Sequence, residues 1–317
     1  MDGPHPIGSR YSTRAVLLLV NVAFTLSIGI ETSSLSAADP LRLTRDGRIK
    51  FTPAFLNADC VAYVDLEKPE LTIIKRLTLS NGVITALHAK AATQELEPAF
   101  FSGGDHCAFL KTRGALSVGL VIRDETNNRN IEIPPESGFC GFRCPTFSHD
   151  GKRVVFSYAA GGSQDLYSVD SGNGKDRQQL TKNSGINNWP DFSPDGKQIL
   201  FGSTRHGNFE LYVMRADGSD VRRLTDNPFQ DVRPRFSPDG RQIAFTSTRD
   251  GNHEIYVMRS DGSQLRRVTH NSERDDYAAW HPDGKRLAII SERNGSHDLY
   301  LLDISNTSSP TAAKSTR

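Results

Sequence analysis

A short phrase that returns at a nearly fixed interval constrains this chain more than its composition does. Phe192–Phe201 reads FSPDGKQILF, and Phe236–Phe245, 44 residues on, reads FSPDGRQIAF. Anchored on the aromatic residue before the turn, the phrase occurs six times: Pro53–Phe55, Pro98–Phe100, Pro145–Phe147, Pro190–Phe192, Pro234–Phe236 and Ala278–Trp280. The anchors lie 45, 47, 45, 44 and 44 residues apart. Eight or nine residues after each comes a second apolar residue: Tyr63, Phe109, Phe156, Phe201, Phe245 and Ile289. Such a period marks a series of supersecondary units, each unable to bury its faces alone.

One unit parses into four short strands. PRF ends the first, and SPDG turns it, with Pro suited to the second position of a type I turn and Gly to the left-handed residue that closes it. RQIAFTS alternates apolar and polar residues and RDGN turns it. HEIYVMR is a third strand, SDGS a second glycine turn and QLRRVT a fourth strand. Four antiparallel strands per 45 residues predict a β-propeller blade. The last repeat lacks its fourth strand, while LRLT (Leu41–Thr44) matches KRLT (Lys75–Thr78), QQLT (Gln178–Thr181), RRLT (Arg222–Thr225) and RRVT (Arg266–Thr269). The expected fold is therefore all-β: a six-bladed β-propeller of four-stranded antiparallel blades over 39–305, closed by an N-terminal strand in the last blade. That closure hides an edge that would otherwise pair with other chains.

The first forty residues differ from the rest. Arg10 and Arg14 precede an apolar run, Ala15–Ile30, and the polar, small-residue stretch ETSSLSAADP follows it. That order predicts a secretory signal peptide over 1–38, cleaved after Ala38. The run is shorter than the roughly 20 residues of a spanning helix, and an uncleaved anchor is the alternative. Residues 306–317 are expected to be a disordered tail. Formal net charge is +1, so the strong basic excess of a nucleic-acid binder is missing.

The pattern P-x-F-SPDG-(K/R)-x-I-x-F, continuing through (I/L)-Y-V-M to DG and R-R-L-T, resembles the repeat of TolB-type propellers, strongly over 145–304 and weakly before. The resemblance implies a non-enzymatic propeller of the cell envelope, located in the periplasm. It also implies a protein partner, of which a peptidoglycan-associated lipoprotein docked at the channel mouth is the family's example. TolB carries an α/β domain ahead of its propeller, whereas only the signal segment precedes Leu41 here, so membership of a Tol–Pal machine does not follow. The expected protein is a monomer that touches the membrane only if the N-terminal segment stays uncleaved.

Strand order puts the SPDG and DGS turns on one face. The more varied loops, KNSGINNW, DNPFQDV and HNSERDDY among them, lie on the other. A partner is expected there, at Asn188, Trp189, Phe229, Asp231, Arg233, Asp276 and Tyr277, because Trp, Tyr and Arg dominate binding hot spots. The middle residue of each Pro-x-Phe triplet should line the channel, Thr146, Asp191 and Arg235 among them, with Asp191 and Arg235 paired across a blade seam. No G-x-S-x-G appears, and no catalytic residue, cofactor or metal site is expected. Arg205, Arg249 and Arg293 should pair with Glu210, Glu254 and Asp298 across hairpins. Of the four cysteines, Cys140 and Cys144 are the most plausible disulfide, and Cys107 takes an apolar position. Two alternatives stand beside the binding scaffold. One is a carbohydrate-active propeller (a glycan lyase or hydrolase) using residues such as Asp191 or Asp276. The other is a membrane-anchored sensor module.

Overall fold

A computed structural model of the protein describes residues 39–89, 91–112, 117–136, 141–182 and 184–305. The expected signal segment and C-terminal tail lie outside them, as does Cys140. The described residues form 24 β-strands and one 3-10 turn, Ser102–Gly104. Repeat one supplies β2 to β5 (Lys50–Asn57, Cys60–Lys68, Leu71–Thr78, Ile84–Ala86) and repeat two β6 to β9 (Glu95–Phe101, His106–Thr112, Val118–Asp124, Arg129–Ile133). Repeat three supplies β10 to β13 (Gly141–Phe147, Arg153–Ala160, Ser163–Asp170, Gln178–Gln179) and repeat four β14 to β17 (Asn187–Phe192, Gln198–His206, Asn208–Arg215, Arg222–Arg223). Repeat five supplies β18 to β21 (Asp231–Phe236, Gln242–Ser247, Glu254–Arg259, Arg266–Arg267). Repeat six has β22 to β24 (Asp275–Trp280, Arg286–Arg293, Ser296–Asp303), and β1 (Leu41–Arg42) is its fourth strand, pairing Leu41 with Leu301 and Arg42 with Tyr300.

This is an all-β propeller of four-stranded antiparallel blades. Repeats one, four, five and six stand as separate four-stranded sheets, whereas repeats two and three share one eight-stranded sheet. A single parallel pairing, Gly141 with Val118, joins β10 to β8. An isolated parallel bridge of the same kind, Gln164 to Ile186, lies at the next seam without extending into a ladder.

The core lies between repeats. Each hydrophobic cluster draws on two neighbouring repeats, as Leu200, Leu211 and Val213 meet Phe236, Ile243 and Phe245. The cluster of Val61, Tyr63 and Leu77 with Ala279, Ala288, Ile290 and Leu299 joins the first repeat to the last and closes the ring. Burial of this apolar surface is the main stabilising term, at about 25 cal/mol per Å² removed from water.

Two sequence expectations change. KRLT of repeat one is not an outer strand, because Lys75–Thr78 ends the third strand, β4, and β5 lies outside it. Only Pro69 and Glu70 separate β3 from β4, so the third strand begins early and absorbs the motif. The Arg/Glu hairpin pairs also fail to form. Glu210, Glu254 and Asp298 stand opposite Ser203, Ser247 and Ser291, two residues short of the expected arginines. The carboxylates turn to the outer strand instead. Thr225, Thr269 and Thr44 donate hydroxyl hydrogen bonds to them at 2.5, 2.5 and 2.6 Å. The same hydroxyls accept the N–H of Leu211, Ile255 and Leu299. Arg223, Arg267 and Arg42 complete each set at 3.1, 2.7 and 2.5 Å. Arg205, Arg249 and Arg293 lie instead over the rings of Tyr212, Tyr256 and Tyr300.

In repeat six these partners come from opposite ends of the chain, so the Asp298 set is the latch of the ring. Thr44→Val keeps the shape and removes the hydroxyl, leaving the buried Asp298 carboxylate and the Leu299 N–H each one partner short. A loss of about 1–3 kcal/mol is expected for such a deletion, read as a lower urea midpoint at unchanged slope. Arg42→Ala, at a side chain in partial contact with solvent, should cost less.

Candidate functional site

Every innermost strand carries the same irregularity. Register slips between Phe51 and Ala54, Leu96 and Ala99, Arg143 and Thr146, Asn188 and Asp191, Val232 and Arg235, and Asp276 and Ala279. In each slip two residues face one on the neighbouring strand, which defines a β-bulge. The single opposing residues are Tyr63, Phe109, Phe156, Phe201, Phe245 and Ile289, the second apolar anchors of the repeat, all buried. Proline explains the position in five of six strands: lacking an N–H, it cannot extend the ladder and belongs on an edge or at a bulge.

The residue before it takes the left-handed backbone region. Thr52, Glu97, Cys144, Trp189, Arg233 and Tyr277 have φ of 46, 50, 46, 53, 53 and 58°. Such φ values are uncommon outside glycine, and strained backbone of this kind gathers at ligand clamps and active sites. All six line one axial cavity of about 610 Å³, together with Thr146, Asp191, Arg235 and Asn188.

One side of this ring is aromatic and cationic. The Arg233 guanidinium lies 4.3 Å from the ring centre of Tyr277 and 5.3 Å from that of Trp189. Its Nη1 reaches Asp276 at 3.3 Å and its Nη2 the Tyr277 hydroxyl at 3.4 Å. Trp189 also packs on Phe209, centroids 4.9 Å apart. Gly202 makes room for the indole, since a Cβ there would sit 2.9 Å from it. Asn188 and Asp276 occupy equivalent positions and brace the bulges by accepting the N–H of Trp189 and Tyr277, at 3.0 and 2.8 Å. Burial alone would push the Asp276 carboxyl up, but Arg233 and Arg274 outweigh it and hold it below the usual range. The other side of the ring is acidic and small. Glu97 accepts the Cys144 N–H at 2.6 Å, and burial pushes the Cys144 thiol well up.

The structure brings Asn188, Trp189, Arg233 and Tyr277 together with Asp191, Arg235 and Thr146, and sets three expected residues apart. Phe229 is 45 % exposed on the loop before β18. Asp276 is buried behind the ring. Asp231 is fully buried and bound to Arg249 at 2.8 Å, so its carboxylate is spent within the blade. Cys144 is a free thiol, and its expected partner Cys140 is the cysteine outside the described residues. Sequence reading missed Thr52, Glu97 and Cys144 as ring members. Their signal was positional, one place before each proline. It also missed His88, Cys107 and Glu125, whose ligand atoms lie within 4.8 Å of one another.

Asp191 lies 3.8 Å from Arg235 and accepts the Phe236 N–H at 2.8 Å. Burial nevertheless raises its carboxyl from the ordinary 3.8 to about 6, against the opposing pull of Arg235. Between about pH 4 and 6 the folded protein therefore holds a proton that the unfolded chain has released, and stability falls as pH rises through that window. Asp191→Asn keeps the acceptor and removes the titration. Urea unfolding from pH 4 to 7 should show wild type losing stability relative to this variant up to about pH 6 and no further. A difference independent of pH would contradict the assignment.

Two family models match the chain. The TolB beta propeller domain matches residues 61–230, and the Tricorn protease N-terminal beta propeller domain matches 215–313. Among solved structures, TolB from Acinetobacter baumannii is 24% identical with a TM-score of 0.59. That match covers 69% of this chain and 54% of the other, so the chain spans about half of that protein's length. A chain assigned as TolB from Agrobacterium tumefaciens is 20% identical with a TM-score of 0.63, covering 82% of this chain and 92% of that one. An oligogalacturonate lyase in complex with manganese is 13% identical with a TM-score of 0.59, covering 83% and 92%. These structural likenesses show the fold, and the family rests on the first model, which spans more than half of the sequence. The chain belongs to the TolB β-propeller domain family.

Proposed function

We propose that this protein is an exported, periplasmic, non-catalytic propeller that binds another protein of the cell envelope at its channel mouth. The shared sheet of repeats two and three counts as two blades, which makes the ring six-bladed. The observation that carries the reading is the ring of six left-handed bulge residues around one cavity. A propeller that only needed to close would have no use for strained, non-glycine backbone at the same place in every blade. Trp189, Arg233 and Tyr277 supply rigid aromatic surface and a fork of donors, the residue types that anchor protein partners. Family membership supports the same reading, with a peptidoglycan-associated lipoprotein as the first partner to test.

A second reading, a glycan lyase or hydrolase, is favoured by one observation. Glu97 and Asp191 both line the cavity, and the Asp191 carboxyl is raised to about 6, where a group can donate a proton near neutral pH. A pull-down from envelope extract separates the two, with the exported protein as bait beside a Trp189→Ala, Tyr277→Ala double variant. Retention of one envelope protein by wild type, reduced at least about tenfold in the variant, is expected for the loss of two hot-spot side chains. If instead envelope glycans are bound and cut, and cutting is lost in Asp191→Asn, the scaffold reading fails.

A further inference from the structure

The six repeats serve as internal controls for one another. In the middle of each blade, the residue opposite the anchor aromatic pairs with a residue of the third strand. These pairs are Val61 with Leu77, Val154 with Val169, Ile199 with Met214, Ile243 with Met258, and Leu287 with Leu302. Five repeats thus place two apolar side chains there. Repeat two places Cys107 opposite Arg123, and Cys107 is fully buried. A core exchanges an apolar pair for a thiol and a guanidinium only where other groups satisfy them.

Those groups are present. Glu125 accepts the Arg123 Nε–H at 2.9 Å and lies 3.4 Å from Cys107 Sγ. His88, on the loop after β5, puts Nε2 3.1 Å from the same Glu125 oxygen. Its other nitrogen, Nδ1, is held by Glu95 at 2.9 Å, and its ring packs on Phe109 with centroids 4.9 Å apart. We propose that His88, Cys107 and Glu125 bind a borderline divalent transition-metal ion, Zn2+ in the first instance, fastening the loop after β5 to the second repeat. Bonds of about 2.0 Å to nitrogen or oxygen and 2.3 Å to sulfur set tetrahedral ligand edges of about 3.3–3.5 Å. Two of the three edges already stand at 3.1 and 3.4 Å. A histidine with one nitrogen on the metal and the other on a carboxylate is the arrangement that fixes ring orientation and strengthens the ligand. The mixed nitrogen, sulfur and oxygen set suits zinc better than a hard cation. His88 and Glu125 are partly exposed, so the fourth position opens to water.

Binding displaces the Cys107 Sγ proton to solvent, since the thiolate is the ligand form, and nothing is oxidised or reduced.

The test is a cobalt titration of tag-free full-length protein followed by zinc displacement. A thiolate-to-cobalt charge-transfer band that Zn2+ abolishes is expected. Cys107→Val should lose the band and keep the wild-type unfolding midpoint without metal, since valine fills this position at Val61 and Val154. Cys60→Ser and Cys144→Ser should keep the band, and His88→Asn should weaken binding at least about tenfold. Absence of the band in wild type, or its survival in Cys107→Val, overturns the proposal.

Discussion

The buried Asp298 carboxylate is the constraint on which the ring depends. It sits on the third strand of the last blade with its side chain out of water, and every partner that satisfies it comes from the other end of the chain. Thr44 and Arg42 bind it directly, and the Lys50 ammonium lies 3.5 Å away. A buried ion pair yields little net stability, and Arg42 is partly exposed, so the loss on breaking the latch falls mainly on the buried groups left short of a hydrogen bond, the Asp298 carboxylate and the Leu299 N–H. The interaction therefore acts chiefly as a penalty on the open ring. Glu210 and Glu254 repeat the arrangement within single blades, where no closure is at stake. The latch uses the same chemistry as the inner blades, with its outer strand supplied by the far terminus.

Closure in turn fixes what the centre can present. Apart from the Gly141 to Val118 pairing of β10, the innermost strands have no hydrogen-bonding strand on the channel side among the described residues, and proline at the bulge has no N–H to leave unpaired there. The cost is a strained residue in each blade, about 1–3 kcal/mol apiece by general experience, set against the apolar clusters between blades. The strain turns Thr52, Glu97, Cys144, Trp189, Arg233 and Tyr277 toward one space, and their chemistry is free to differ because the bulge itself is held by backbone and by the buried residue opposite. A uniform scaffold thereby carries a non-uniform surface, aromatic and cationic on one side, small and acidic on the other.

Much of this is legible in the residue types alone. The period, the anchors and the SPDG turns come from residue types with fixed backbone meaning, so the blade and its closing strand could be read directly. The Ser237 and Asp239 side chains that brace one such turn show why the phrase is kept. What escaped depends on register or on a fold-wide juxtaposition. Glu254 could not be matched to Arg267 rather than Arg249 without knowing that it stands opposite Ser247. Lys75–Thr78 copied an outer-strand motif while ending a third strand, because loop length decides strand order. The left-handed ring has no residue signature of its own, only the proline that follows in five of its six members. His88 and Cys107 lie in the degenerate repeats, where sequence similarity was weakest.

Under the proposed binding role, the partner meets the channel-mouth face. A photo-crosslinking amino acid placed at position 229, on the exposed rim, and at position 239, in the exposed SPDG turn of the opposite face, tests it in living cells. Protein adducts are expected from 229 and none from 239. Adducts from 239 with none from 229 would contradict it.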